Sequence, residues 1–346
     1  TSDHRIRLLI NNRDGVPGQF SEETDARMPG AAFGGTGCPD DIDHVDMDDD
    51  GDVDFVVSLR TATGFCPGGT SEVRVFENTG NGFFATPIVL PASADNSTHD
   101  VLWFDANHDG LYDIFVANEW NNDDGNANDV TSQLYLNNGM GGFTENRTFD
   151  LASTSASIGD FNGDGLMDFV AGRTEVRAYL TNPDSPCLTN PGAACSYTEV
   201  EVQVAGGNNP FYDLEVGDVN ADGFPDIVGA RILSIAENVP IYINDGSGNF
   251  SEITGGDSST VLPGHDGEFQ RLSADLFDLD RDGDLDLYLT GHDGEVDNFG
   301  DGANQLYENL LFVINIASPT AEDPAYAGSA TGGRKVLVRL RADIPV

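Results

Sequence analysis

Five nine-residue segments gather acidic side chains at a spacing suited to a hard cation. They are DMDDDGDVD (Asp46–Asp54), DANHDGLYD (Asp105–Asp113), DFNGDGLMD (Asp160–Asp168), DVNADGFPD (Asp218–Asp226) and DLDRDGDLD (Asp278–Asp286). Each puts an oxygen donor at every second place, so alternate residues of one tight loop can converge on a point. Glycine at the sixth place permits the sharp turn. The predicted donors are Asp46, Asp48, Asp50, Asp52 and Asp54; Asp105, Asn107, Asp109, Leu111 and Asp113; and Asp160, Asn162, Asp164, Leu166 and Asp168. The last two loops offer Asp218, Asn220, Asp222, Phe224 and Asp226, and Asp278, Asp280, Asp282, Asp284 and Asp286. The seventh residue of each loop would serve through its backbone carbonyl. Oxygen-only donors select calcium or magnesium over zinc, and a shell of four charged or amide groups plus a carbonyl suits calcium. The expectation is about five structural Ca2+ ions. An EF-hand would need Glu at the twelfth place and a following helix, but Val57, Val116, Ala171, Gly229 and Leu289 stand there. The competing reading, Asp and Gly merely populating turns, is weakened by five matches in phase. Uncompensated carboxylates this close would also repel one another.

The loops recur every 55 to 60 residues, and each is followed by a short β-prone run: FVVSL, IFVAN, FVAGR, IVGAR or LYLTG. Another extended run precedes each loop. A further one ends in Asn and a Gly-rich turn, as in VRVFENTGNGFF, QLYLNNGMGGF and IYINDGSGNF. One period therefore holds about four short strands and no crossover helix, which is the content of a propeller blade. The fold expected is all-β, one propeller over residues 1–346. Its calcium-loop blades would span 28–93, 94–150, 151–205, 206–256 and 257–317. Residues 1–27 and 318–346 together approach the length of one more unit. The reading is thus six four-stranded blades, the sixth split between the termini and closing the ring; seven blades would require a longer chain.

The segments IGDFNGDGLMDFVAG and VGDVNADGFPDIVGA resemble FG-GAP/VCBS repeats, the calcium-loop blades of integrin α-subunit propellers and of many secreted microbial proteins. The resemblance covers about 290 residues. It implies a calcium-stabilised propeller and carries Asp46, Asp48, Asp50 and Asp54, with their counterparts in the other loops, over as ligands. It does not choose an activity, because relatives include adhesion receptors, lectins, surface proteins and auxiliary domains of polysaccharide-degrading enzymes.

In this blade order the metal loop joins the innermost strand to the second, so the segments flanking that hairpin meet on the opposite face. Cys38 and Cys66 stand at such positions in the first unit, and their pairing would staple it. Cys187 and Cys195 read as a second, loop-stapling disulfide. His265 and His292 occupy matching positions in the fifth unit, each within GHDGE, together with Asp266, Glu268, Asp293 and Glu295. They read either as a site for a transition metal or polar ligand or as two similar solvated turns. Trp120, among Asn and Asp in residues 118–129, reads as a sugar-stacking platform or as a residue packed on its own loop. Trp103 belongs to the core. Asp41, Asp100, Ser155, Asp213 and Ser273, five residues before each loop, either ring a central channel or solvate it. Asn96, Asn146 and Asn249 head glycosylation sequons.

The chain carries 59 acidic against 16 basic residues, a formal charge of −43. That disfavours nucleic acid and anionic membrane surfaces as partners. No apolar run is long enough to insert in a membrane. The chain opens on Thr1 without a signal-like segment, which predicts a processed form. Paired cysteines and calcium loops point to an extracellular location, secreted or on the cell surface. No nucleophile, zincin, phosphate-loop or dinucleotide motif is present. The leading expectation is a non-catalytic binding or adhesion module for an extracellular protein or glycan. The alternatives are a filament or layer subunit assembled with copies of itself through terminal strands, and a polysaccharide lyase or hydrolase using the loops opposite the metal sites.

Overall fold

The computed structural model describes residues 5–11, 18–31, 38–60, 71–90, 97–119, 131–203, 210–231, 239–253, 262, 270–292, 304–309, 313–314 and 336–337. Strands β1 (Leu9–Asn11) and β2 (Phe20–Glu22) form a hairpin, followed by a short helix α1 (Thr24–Arg27). Four four-stranded antiparallel sheets come next. The first holds β3 (Cys38–Val45), β4 (Asp54–Arg60), β5 (Glu72–Phe76) and β6 (Ile88–Leu90); the second holds β7 (Ser97–Phe104), β8 (Asp113–Glu119), β9 (Ser132–Asn137) and β10 (Phe143–Phe149). The third contains β11 (Ser155–Gly159), β12 (Asp168–Gly172), β13 (Val176–Thr181) and β14 (Tyr197–Gln203). The fourth contains β15 (Phe211–Gly217), β16 (Asp226–Arg231), β17 (Ile241–Asn244) and β18 (Phe250–Glu252). A fifth sheet shows three strands, β19 (Gln270–Phe277), β20 (Asp286–His292) and β21 (Gln305–Tyr307). Within each sheet the strands pair in chain order, so every connection is a hairpin.

The first strands of successive sheets touch one another, β3 to β7, β7 to β11, β11 to β15 and β15 to β19. This places them innermost, and the sheets stand as the blades of a single β-propeller. Burial follows position in the blade: β8, β12 and β16 are buried at every residue, whereas outer strands such as β10 and β14 are mostly half-buried or exposed. A second strand is covered on both faces by neighbouring blades, which explains its Val, Ile, Phe and Ala content. The core accordingly lies between blades. Phe104, Phe115, Leu134 and Phe149 of the second blade pack on Phe169, Tyr179 and Tyr197 of the third. Phe169 and Tyr179 stack with ring centroids 4.7 Å apart.

The innermost strands are also tied by polar bonds. Asp41 Oδ2 accepts from Val101 N (3.2 Å), Asp43 Oδ2 from Trp103 N (2.9 Å) and Asp100 Oδ2 from Ala156 N (2.7 Å). Ser155 Oγ accepts from Leu214 N (3.1 Å), and Asp213 Oδ2 from Ala274 N (3.0 Å). Of the polar residues expected to ring or solvate the channel, Asp41, Asp100, Ser155 and Asp213 therefore bridge one blade to the next, and the Ser273 hydroxyl donates to Ala274 O in its own strand. Trp103 is core, as expected.

The six-blade expectation needs correction, because the structure shows five blades among its described residues. The N-terminal segment does form two antiparallel strands, with Asn11 opposite Phe20. Among the described residues it does not pair with the C-terminal strands, however. Val313–Ile314 pairs instead with Val336–Leu337 in a separate ribbon. Leu8 N donates to Thr24 Oγ1 (2.8 Å), and Ile6, Leu8, Met28 and Ala31 pack on Val57, Leu59 and Phe76 of the first blade. Burying these apolar residues holds the segment against that blade. How the ring closes lies outside the described residues.

Cys187 and Cys195 form a disulfide in the β13–β14 connection. Asn146 of the second blade clasps this loop, its Nδ2 donating to Ala193 O (2.7 Å) and its Oδ1 accepting from Cys195 N (2.8 Å). Cys38 is disulfide-bonded as well; Cys66, its expected partner, lies outside the described residues.

Candidate metal centres

Each acidic loop links the innermost strand of its blade to the second strand, and all five repeat one backbone course. The first Asp accepts two amide N–H groups: Asp46 from Asp50 (3.0 Å) and Gly51 (2.9 Å), Asp160 from Asp164 (3.1 Å) and Gly165 (2.9 Å). Asp105, Asp218 and Asp278 do the same in their loops. The fifth Asp accepts from the seventh-place N–H, as Asp50 does from Asp52 and Asp222 from Phe224. The sixth-place glycines all lie at positive φ, from 84° at Gly165 to 99° at Gly223. So do the fourth-place residues Asp49, His108, Gly163, Ala221 and Arg281. Four of these are not glycine, and each holds a conformation L-residues disfavour. Pattern reading found the sixth place but not the fourth, because the fourth-place residues share no type.

Side-chain oxygens of Asp46, Asp48 and Asp50 lie within 4.8 Å of one another, as do those of Asp278, Asp280 and Asp282. In the middle loops the third place is Asn, and its amide lies 3.0 or 3.1 Å from the fifth Asp: Asn107 to Asp109, Asn162 to Asp164, Asn220 to Asp222. Among the described residues no ion pair reaches Asp46, Asp48, Asp50, Asp105, Asp109, Asp160, Asp164, Asp218 or Asp222. Clustered, solvent-facing oxygen donors without basic partners fit a hard divalent cation.

The ninth Asp has a second task. Asp168 accepts from Phe161 N (2.9 Å) through Oδ2 and from Thr181 N (2.8 Å) through Oδ1. Asp54, Asp113, Asp226 and Asp286 repeat the pair of bonds with the second loop residue and the end of the third strand. These carboxylates are almost fully buried. Burial pushes Asp113 up to about 8 and Asp168 and Asp226 up to about 7, against the backbone N–H bonds that oppose the rise. Each oxygen keeps a further lone pair, so clasp and ligand are compatible roles.

The opposite face carries a cluster that pattern reading missed. Glu119 bridges Arg60 (2.8 Å) and Arg173 (3.1 Å), Arg60 also lies 3.6 Å from Asp40, and His99 Nδ1 lies 3.5 Å from Asp40. The His99 and Tyr212 rings meet edge to face at 5.1 Å. Burial, with Arg60 and Arg173 adding to it, pushes His99 down to about 3, while burial pushes Asp40 up to about 6. Three blades thus contribute charges to one knot, a tertiary juxtaposition without a sequence signal. Of the residues expected on this face, His292 ends β20 opposite Gln270. Trp120, His265, Asp266, Glu268, Asp293 and Glu295 lie outside the described residues.

Four radially packed four-stranded units and a fifth with three described strands, each with an acidic loop between its first two strands, define a repeat β-propeller. The chain belongs to the FG-GAP-like repeat family, whose model matches residues 46–116, 105–171 and 218–289. Among solved structures it is similar to a protein assigned as an exo-β-1,3-galactanase from Bifidobacterium bifidum s17, at 12% identity and TM-score 0.40, covering 77% of this chain and 90% of that one. It is similar to a luciferin-regenerating enzyme at 14% identity and TM-score 0.38, covering 73% and 72%. The V. cholerae biofilm matrix protein Bap1 matches at 15% identity and TM-score 0.33, covering 63% of this chain and 40% of that one. No curated protein matches the chain.

Proposed function

We propose that this chain is an extracellular propeller whose five acidic loops hold structural calcium, and that it acts as a non-catalytic binding module for a protein or glycan. The observation that carries the reading is the convergence of the first, third and fifth side chains in the loops starting at Asp46 and Asp278. A bound Ca2+ would neutralise these carboxylates and tie the first two strands of each blade together. The first Asp pre-orders the turn by holding two amides, and the ninth Asp anchors it to the third strand. The remaining side-chain oxygens are left facing outward as donors. The disulfide and the calcium chemistry both suit an oxidising, calcium-rich compartment.

Calorimetric calcium titration of the chelator-treated chain, with melting curves in calcium and in chelator, tests this. Uptake of about five ions with a higher Tm in calcium is expected. Identical melting in both conditions would sink it. A glycan and protein binding screen in calcium then addresses the partner.

A further inference from the structure

At the end of the third strand each blade places a polar residue beside its own loop: Asn78, Asn137, Thr181, Asn244 or Asn309. The backbone N–H of each donates to the ninth Asp of its blade, at 2.7 to 2.9 Å. Their side chains differ in reach. Asn78 Nδ2 donates to Val53 O (3.2 Å), the eighth residue of its own loop, and Thr181 Oγ1 donates likewise to Met167 O (2.7 Å). Asn244 Nδ2 donates to its own eighth residue, Pro225 O (3.0 Å), and also to Phe161 O (2.8 Å) in the loop of the preceding blade. Asn309 Nδ2 repeats this with Leu285 O (3.1 Å) and Val219 O (2.8 Å). A primary amide has two N–H donors and a hydroxyl one, so Asn244 and Asn309 serve two loops where Thr181 serves only its own.

Phe161 and Val219 are the second residues of their loops, between the first and third candidate ligands. Their N–H groups are already held by Asp168 and Asp226. The peptide that joins two ligands is therefore fixed at one end by its own blade and at the other by the next. Asn244 then passes through its backbone to Asp226, and Asp226 to Val219, whose carbonyl meets Asn309. The loops starting at Asp160, Asp218 and Asp278 form one hydrogen-bonded series that stops at Thr181.

We propose that Asn244 and Asn309 are positioning residues that couple these three cation sites, so that filling one loop raises the affinity of the next. This rests on the reading of the loops as calcium sites. A cation drawing the first and third side chains together fixes the peptide between them. The neighbouring amide then finds its acceptor already oriented, and part of the ordering cost of the next loop is met in advance. The coupling is reciprocal along the series. The loop starting at Asp105 fills independently of the one at Asp160, because Thr181 has no second donor.

The amides of Gly110, Gly165, Gly223 and Gly283, each bonded to the first Asp of its loop, are site-specific NMR reporters. Calcium is withdrawn stepwise by chelator from the loaded full-length chain. Asp160→Ala, which disables one loop, is expected to weaken filling at Gly223 about fivefold. In an Asn244→Thr background the same change should shift Gly223 by less than about twofold, since the coupling contact is gone. Asn244→Thr keeps the own-blade bond in the form Thr181 already makes, so folding is retained. Thr181→Asn should create coupling between Gly110 and Gly165 where the original chain shows none. An equal response of Gly223 in both backgrounds, or loss of all reporters in one global step, overturns the proposal and leaves the calcium sites standing. No calcium uptake at any reporter overturns both.

Discussion

At the scale of single residues, the ninth Asp reads in the sequence as a candidate cation donor, but its work as a clasp is visible only in three dimensions. Asp168→Ala strips the acceptor from two buried N–H groups and is expected to cost about 3 kcal/mol. Because those bonds are made by the chain itself, the loss should persist in chelator when unfolding is followed by urea titration. A loss seen only in calcium would mean that the carboxylate acts solely as a ligand. The fourth loop place makes the converse case. Ala221 sits at φ 54°, and Ala221→Gly should relieve about 1 kcal/mol of backbone strain and raise Tm. The loop at Asp160 already carries glycine there, at Gly163.

At the scale of elements, the strand, loop and strand unit was readable because its period, turn glycines and apolar runs agree with one another. The disulfide loop between β13 and β14 was readable as a staple but not as a contact. Asn146 fastens it to the preceding blade, and both bonds of that amide are to backbone. Two expectations follow. Asn146→Ala should lower Tm and expose the Cys187–Cys195 bond to reductant, followed by thiol labelling. In a eukaryotic secretory host Asn146 should remain unglycosylated once folded, checked by peptide mass spectrometry. Full occupancy there would mean that the clasp does not form before modification.

At the scale of the whole molecule, the channel gathers acids. Enclosure and the adjacent Asp41 push Asp100 well above the carboxylate range, and burial pushes Glu215 up to about 8 with Asp213 and Asp275 adding to it. A carboxyl whose folded pKa is raised favours the folded state fully below its unfolded value of about 4.3, and that contribution is lost as pH rises through the folded value. In chelator, Tm should therefore fall between pH 5 and pH 8. Glu215→Gln should raise Tm at pH 8 more than at pH 5, flattening the profile. An unchanged slope would assign the pH dependence to the overall charge of −43 instead.

The blade, the course of its acidic loop and the all-β class were legible in the sequence, because these rest on short-range spacing: oxygen-bearing residues at alternate places, glycine at the sixth, strand-length apolar runs between turns. The tertiary structure decided how many blades form and how they are joined. Blade number depends on where the terminal strands find partners, and β1 pairs with β2 while its flanking apolar residues cover the first blade. The bonds from Asp41, Asp100, Ser155 and Asp213 to the next innermost strand, and from Asn244 and Asn309 to the preceding loop, span 56 to 90 residues. An Asn that bonds one loop and an Asn that bonds two are the same letter in a sequence. Only the distance between adjacent blades tells them apart.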